Sequence, residues 1–500
     1  MRTLSCSMTT FADKGISCEL SQKRRYAQTP RPKDDSNAHS SGTNHGNKKG
    51  HASESAHSST RRRGPVIKTD LSDAFCTLTF EEEDEADYRE GGYHPVEINH
   101  VYNSRYKIIS KLGWGYFSTV WLALDLKKDT KVALKIIRGA SRYSKSAEDE
   151  IQLLRRVSTT NKRKSQFIVS FLDHFTIIGP NGLHTCLVFE SLGCNLFTLI
   201  RMYEHKGVPV PLVKIFIKQI LFALDYLHCY CQIIHTDLKP ENILLYINPN
   251  LSLISKGSPG SDPKMSTNRS NDGSYENTNE KKDDIRCRNK RSGTSSSHTK
   301  CHIERRVPPK NKEELLICFG NGSFRCKVVD LGNACWVHKH FTDQVQTRQY
   351  RAPEVILGCS DYNTSIDIWS LACIAFELLT GDLLFTPHSS EYYDKNDDHL
   401  TQMIELLGNP PRSFVRSCRL GHHYLTKNGS PKHIHKLCYW PLQDVLIEKY
   451  RFLERDAAEI CDFLLPMLEY SPMKRATAAE QLKHPWIRNI DVDDFSTAFD

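Results

Sequence analysis

HTDLKPEN occupies residues 235–242 and follows a stretch, roughly 211–230, in which Ile215, Ile220, Leu224 and Leu227 recur near one helical face. A helix that buries this face would seat the polar run behind it at a fixed place. Within eight residues the run offers a carboxylate at Asp237, an ammonium at Lys239 and a carboxamide at Asn242. A carboxylate can accept or orient a hydroxyl proton, an ammonium can neutralise a moving phosphoryl group, and an amide oxygen can hold Mg²⁺. Asp237 and Lys239 are thus candidate catalytic residues, and Asn242 is a candidate metal ligand.

Residues outward from this run supply more of a phosphate-handling site. Residues 106–122, YKIISKLGWGYFSTVWL, alternate apolar positions on both sides of two glycines and read as strand, turn, strand. Gly113 and Gly115 let backbone amides approach phosphate oxygens, in a G-x-G-x-x-S-x-V pattern with Ser118 at the third glycine position. The candidate nucleotide-binding run is Leu112, Gly113, Trp114, Gly115, Tyr116, Phe117, Ser118, Thr119 and Val120. Taken alone, the pattern describes a plain hairpin as well. Lys135 ends VALK on the next predicted strand, 22 residues past Gly113, in place to reach the α- and β-phosphates. Glu150, on a helical pattern with Ile151, Leu154 and Val157 on its apolar side, is the candidate partner of Lys135, and Glu148 is the competing choice. CLVFESLG, residues 186–193, reads as a buried strand entering a glycine turn. Backbone groups of Glu190 and Leu192 there could bond adenine, and Phe189 is either the back of that pocket or plain core.

A second metal ligand should follow Asn242 after two short strands and a tight turn, about 15 residues on. Asp330, in KVVDLGNACW, stands 88 positions after it instead. The segment 247–322, rich in Ser, Asn and Lys and lacking a hydrophobic period, accounts for the difference and is predicted to be a disordered spacer. Residues 1–80 have the same character. They hold 13 Lys and Arg against 7 Asp and Glu, and 247–322 hold 14 against 9. These excesses, +6 and +5, outweigh the +8 of the whole chain and leave the remainder near −3. The basic charge lives in the extensions, which disfavours a nucleic-acid-binding core. No run of about 18 apolar residues marks a membrane span. The start, MRTLSCSMTTFADK, lacks the apolar core of an export signal. The 17 cysteines show no C-x-x-C pairs and fit reduced thiols of a cytosolic or nuclear protein better than a disulfide framework or a zinc site.

Beyond Asp330, Leu331 stands in an apolar slot, and Ala352-Pro353-Glu354 closes the segment that Asp330 begins. DIWSLACIAFELLTG (367–381) reads as an apolar helix, and Arg475 is a candidate buried partner for Glu354. With these motifs in this order, residues from about 106 to 487 resemble the eukaryotic protein kinases. GWGYFSTVWLA, HTDLKPENIL, DLGNACWVHKHFTDQVQTRQYR, GDLLFTPHS and the lead-in ADYREGGYHPVEINHVYNSRY are similar, more narrowly, to signatures of the SR protein kinases. Those enzymes phosphorylate serines in Arg-Ser dipeptides of splicing factors. The resemblance implies an α+β, bilobal fold, with a small β-rich N-lobe and a larger helical C-lobe split by the spacer. The implied organisation is a basic extension (1–80), a lead-in (81–105), a first kinase part (106–246), the spacer (247–322), a second part (323–487) and a tail (488–500). It further implies ATP and Mg²⁺ as cofactors, Asp330 as a metal ligand, and serine/threonine protein kinase activity. Asp382, Asp398, Glu405 and Lys449 match the family's substrate-docking groove. Arg348, Arg351 and Lys395 match its basic pocket for an already phosphorylated serine. Residues 391–405, with five acidic side chains and one lysine, suit an arginine-rich substrate, although such a cluster is also an ordinary solvated surface.

Thr236 stands where many kinases carry an arginine that binds an activation-segment phosphate. The segment from Asp330 to Glu354 is therefore expected to order by its own packing, with Trp336, Val337, Phe341 and Tyr350 available. Similar kinases are regarded as constitutively active, so control is expected from location, in cytoplasm and nucleus. The spacer is expected to bind transport or anchoring factors. A monomer is expected, with no direct nucleic-acid or membrane partner. The competing readings are another serine/threonine or dual-specificity kinase of the same branch, a pseudokinase scaffold, and a nucleic-acid binder using RRRG and RCRNKR. Lys135, Asp237, Asn242 and Asp330 are all present, which disfavours the pseudokinase.

Overall fold

The computed structural model describes residues 83–160, 164–246, 325–359 and 361–492. The expectations of disorder for 1–80 and 247–322 lie outside these residues. An antiparallel sheet of six strands, in the order β1-β2-β3-β4-β6-β5, forms the smaller lobe. Its strands are β1 (Val101–Tyr102), β2 (Tyr106–Gly115), β3 (Ser118–Asp125), β4 (Thr130–Ile137), β5 (Phe171–Gly179) and β6 (Gly182–Glu190). Along β4 the buried residues alternate up to Ile136, as a half-buried strand requires, so Val132, Leu134 and Ile136 meet Tyr106, Ile108 and Val188 in one apolar cluster. Helix α1 (Ser141–Thr160) turns Ile151, Leu154 and Val157 into the larger core, as the helical spacing predicts.

The larger lobe is helical. Helix α2 (Leu196–Met202) is capped by the Asn195 side chain. Helix α3 (Val210–Asp225) buries Ile215, Ile220 and Leu224 and gives way to one wide turn, Tyr226–Cys231, that ends at Gln232 in the left-handed region. At its centre lies α4 (Ser365–Thr380), buried at every position, the expected fate of a helix apolar nearly all round. It stops at Gly381, whose φ of 81° ends the helix and where a Cβ would meet the His205 carbonyl at 2.0 Å. Helices α5 (Lys395–Leu407) and α6 (Glu454–Leu464) follow.

Two short sheets carry the site. Strand β7 (Ile233–Ile234) pairs with β10 (Cys335–Trp336), and β8 (Ile243–Tyr246) pairs with β9 (Arg325–Val328). Tyr246 is the register partner of Arg325, so the chain leaves and re-enters the fold at neighbouring positions. The expectation of reduced thiols needs a correction: Cys359 and Cys418 form a disulfide, although nine other described cysteines remain thiols. Their separation of 59 residues makes the pairing a product of tertiary structure, which local spacing does not reveal. Among the described residues no helix is long and apolar enough to cross a membrane.

Candidate active site

The run 235–242 is anchored from beneath by Asp367, in the first turn of α4. Its carboxylate accepts the amides of His235 and Thr236 at 2.8 and 2.9 Å and faces His228 Nε2 at 2.8 Å. The sequence pattern shows this residue only as part of an apolar helix. The available signal was an acid inside a fully buried helix, which must find donors. His235 Nδ1 accepts the Asp237 amide, so its Nε2–H donates to the Val329 carbonyl at 3.0 Å. The catalytic loop is thereby tied to the residue preceding Asp330.

The Asp237 carboxylate accepts from Lys239 Nζ at 3.0 Å and from the Thr347 hydroxyl at 2.6 Å. A hydroxyl can thus sit within proton-transfer distance of Asp237. Burial works against the Lys239 ammonium, but the charge and hydrogen bond of Asp237, together with the charges of Glu241 and Asp330, raise its pKa. Asn242 donates its Nδ2 to the Asp237 carbonyl at 2.9 Å, which leaves its Oδ1 without a donor among the described residues.

Lys135 reaches Glu150 Oε1 at 2.8 Å and Asp330 Oδ1 at 2.9 Å. Glu150 is buried and Glu148 is exposed, so the choice between them is resolved. The Lys135 charge holds Asp330 down at about 2, whereas burial pushes the Glu150 carboxyl up. Burial opposes the Lys135 ammonium, but the two carboxylates raise its pKa above the ordinary value.

The glycine-rich hairpin is formed as predicted, with Gly113 opposite Val120 and Gly115 opposite Ser118. Leu112, Trp114 and Phe117 are exposed, while Ser118 and Thr119 are buried. The Thr119 hydroxyl accepts Trp121 Nε1 at 3.0 Å. A Cβ at Gly113 would meet nothing within 4 Å, so the face of the hairpin there is open. At the strand end Glu190 spends its carboxylate on Lys327, at 2.6 Å, and on the Ser170 amide. The Leu192 main chain makes no hydrogen bond among the described residues. Phe189 is half-buried, 5.8 Å from the Phe171 ring.

These features fit a nucleotide and a divalent ion. The main chain of Leu192 is available to a purine edge, and Lys135 to phosphate oxygens. The uncommitted oxygens, Asn242 Oδ1 and Asp330 Oδ2, are hard ligands of the kind Mg²⁺ takes. They stand at adjacent ends of β8 and β9, where the Val329 amide donates to the Asn242 carbonyl. Among the described residues no group of three or more His, Cys, Asp or Glu could hold a metal, so phosphate oxygens would have to complete such a site.

The segment from Asp330 to Glu354 is ordered, but less by packing than predicted. Phe341 is 44% exposed and contributes little. Polar bonds take its place. Thr236 Oγ1 donates to the Asn333 carbonyl at 2.6 Å, and the Val337 amide donates to Gln232 at 3.0 Å. Gln346, buried, donates to the Ile366 carbonyl at 2.9 Å and accepts the Ala352 amide at 2.9 Å. Tyr350 is buried and donates to Glu377 at 2.7 Å. At the end of the segment, Arg475 pairs with Glu354 at 2.6 and 2.9 Å, as predicted, with both side chains fully buried.

The predicted docking residues are more committed than the sequence suggests. Asp382 pairs with Lys449 at 2.6 Å. Asp398 is buried and accepts the His388 amide and Gln402 Nε2, both at 2.8 Å. Glu405, also buried, accepts the Cys438 amide at 2.9 Å. Of the five acids in 391–405, Asp394 caps α5 and Asp397 is buried against His433. The acidic count therefore overstates the free surface charge, because helix capping and loop anchoring consume it. Arg348 bonds Asn396 and Arg351 bonds the Gln346 carbonyl, while Lys395 is exposed at the start of α5. Burial, reinforced by the Arg348 charge, lowers Arg351 to about 10.

A small antiparallel lobe, a helical lobe, a lysine–glutamate pair and an Asp-Lys-Asn loop together define a protein kinase. The protein kinase domain family matches residues 106–258 and 310–487, interrupted within the predicted spacer. The chain is 48% identical over 415 residues to the serine/threonine-protein kinase SRPK of Physarum polycephalum, covering 82% of this chain and 93% of that one. It is 42% identical to protein kinase dsk1 of Schizosaccharomyces pombe, with 82% and 85% covered. It is 36% identical to human SRSF protein kinase 3, with 81% and 90% covered. The chain belongs to the SR protein kinase family of serine/threonine kinases.

Proposed function

We propose that this kinase transfers the ATP γ-phosphate to serines in Arg-Ser dipeptides of SR splicing factors and is active without phosphorylation of its own activation segment. The observation that carries the second part is the bond from Thr236 to the Asn333 carbonyl, which joins catalytic loop and activation segment with no anion. The substrate class is supported by the family and by the name of the SRSF kinase among its relatives.

In this reading Asp237 orients the substrate hydroxyl and takes its proton, as its bond to Thr347 illustrates. Lys239 holds positive charge beside the developing negative oxygens. Lys135, fixed by Glu150, positions the α- and β-phosphates, and Asn242 and Asp330 hold Mg²⁺. When bound, ATP would supply the phosphoryl group and Mg²⁺ would offset its negative charge. Glu190 and Leu192 present main-chain groups to adenine, and the hairpin of residues 112–120 contributes the rest of the nucleotide site. Asp382, Asp398, Glu405 and Lys449 form the docking groove. For Asp398 and Glu405 that role requires local rearrangement of the loops they anchor. Arg348, Arg351 and Lys395 receive a phosphoserine: two mutually repelling guanidinium groups gain from an anion between them. Control comes from distribution between cytoplasm and nucleus, through transport or anchoring factors on the spacer.

The test is activity after phosphatase treatment. Enzyme made without an upstream kinase and then dephosphorylated should phosphorylate an Arg-Ser peptide at an unchanged rate. Loss of activity would overturn the reading of Thr236.

A further inference from the structure

The lead-in segment does more than precede the first strand. Tyr93, buried, donates its hydroxyl to the carbonyl of Gly115 at 2.8 Å. Arg138, just beyond β4, donates Nη1 to the Tyr116 carbonyl at 3.2 Å and its own amide to the Phe117 carbonyl at 3.0 Å. Three consecutive carbonyls at the tip of the glycine-rich hairpin are therefore held by these two residues.

The holder is itself rigid. The Arg138 guanidinium lies 4.4 Å from the Tyr93 ring centre, close to the rings of Tyr116 and Tyr143, and bonds Asp87 Oδ1 at 2.5 Å. Such stacking suits the planar guanidinium. The main chain of the lead-in is pinned on both sides of Tyr93. Gly139 and Ala140 donate to the carbonyls of Gly92 and Gly91 at 2.9 and 3.0 Å, and Asn181 Nδ2 donates to the Tyr93 carbonyl at 2.6 Å. Gly91 has a φ of 72°, and a Cβ on Gly92 would meet the Asp87 carbonyl at 1.9 Å, so this close turn needs the glycine pair. Burial pushes the Tyr93 phenol up to about 12, which keeps it a proton donor.

In a trans peptide the C=O of one residue and the N–H of the next point in opposite directions. Holding the carbonyls of Gly115 and Tyr116 on one side therefore turns the amides of Tyr116 and Phe117 to the other. We infer that Tyr93 and Arg138 form a clamp that presets the hairpin-tip amides for nucleotide phosphates, with Tyr93 as a positioning residue outside the nucleotide site. The inference rests on the kinase reading but concerns phosphate affinity alone.

Tyr93→Phe removes one hydroxyl and keeps the ring under Arg138. Binding of ATP and of adenosine to the full-length protein separates the possibilities, because adenosine has no phosphates. The variant should bind ATP about fivefold more weakly, the effect of one hydrogen bond, with adenosine affinity and kcat at saturating ATP unchanged. Arg138→Lys, which loses the stacked fork, should shift ATP in the same direction and by more. Equal losses for both ligands, or no loss of ATP affinity, would overturn the clamp while leaving the kinase reading intact. Failure of the unmodified protein to bind ATP would overturn both.

Discussion

Thr236 Oγ1 lies 2.6 Å from the carbonyl oxygen of Asn333, and the Thr236 amide lies 2.9 Å from Asp367 Oδ1. One residue thus connects the central helix, the catalytic loop and the activation segment. Its φ of 65° shows that the backbone adopts the left-handed region to do so.

Removing the hydroxyl tests this connection. Thr236→Ala leaves a carbonyl without its donor and should destabilise the protein by about 1–2 kcal/mol. Thr236→Ser keeps the donor and should stay near the parent. Thermal melting of the pair checks the stability, and peptide kinetics should show kcat falling in the alanine variant only.

The Lys135–Glu150–Asp330 cluster makes a pH prediction. Asp330, held at about 2 by Lys135, contributes stability that is complete above its unfolded pKa near 4 and is lost as pH falls through 2. Lys135→Met removes that contribution and leaves two carboxylates facing each other. At pH 7 the loss should be about 2–3 kcal/mol, less than for a fully buried pair because Asp330 is partly open to water. The gap from wild type should narrow chiefly as pH falls from about 4 toward 2, where Asp330 takes up its proton. Denaturant melts across that range check the sign, and a constant gap would contradict it.

Arg475 and Glu354 are both fully buried, so deleting one strands the other's charge. Arg475→Met should cost about 3–5 kcal/mol. The double variant Arg475→Met, Glu354→Gln should recover part of that loss in the same melting assay.

The register pair Tyr246–Arg325 makes the insert removable. Loop-closure entropy changes by only about 0.6 kcal/mol per doubling of length. Replacing 247–322 with a short Gly-Ser turn should leave peptide phosphorylation near normal and shift the balance between cytoplasm and nucleus. Imaging a tagged variant beside activity assays checks both halves.

How far the sequence led depended on the range of each interaction. Glycine hairpin, catalytic loop and central helix follow from local patterns of period 2 or 3.6, and they form near the predicted positions. Glu354–Arg475 was legible because burying an acid demands a partner. Asp367 was not singled out, because its donors are main-chain amides that no residue pattern displays. Asp398 and Glu405 look like surface charge in a count, yet they serve as buried acceptors for loop amides. The Tyr93 and Arg138 clamp was invisible for the same reason: its acceptors are carbonyls. Cys359 and Cys418 meet only once the chain is folded.

The most direct test of the central claim is the steady-state rate of phosphatase-treated enzyme on matched Arg-Ser, Lys-Ser and Ser-Pro peptides, with Asp237→Ala as control. Rapid phosphorylation of the Arg-Ser peptide alone, reduced by orders of magnitude in the Asp237 variant while ATP binding persists, is the predicted result. Equal rates on all three peptides, or turnover unchanged by Asp237→Ala, would contradict it.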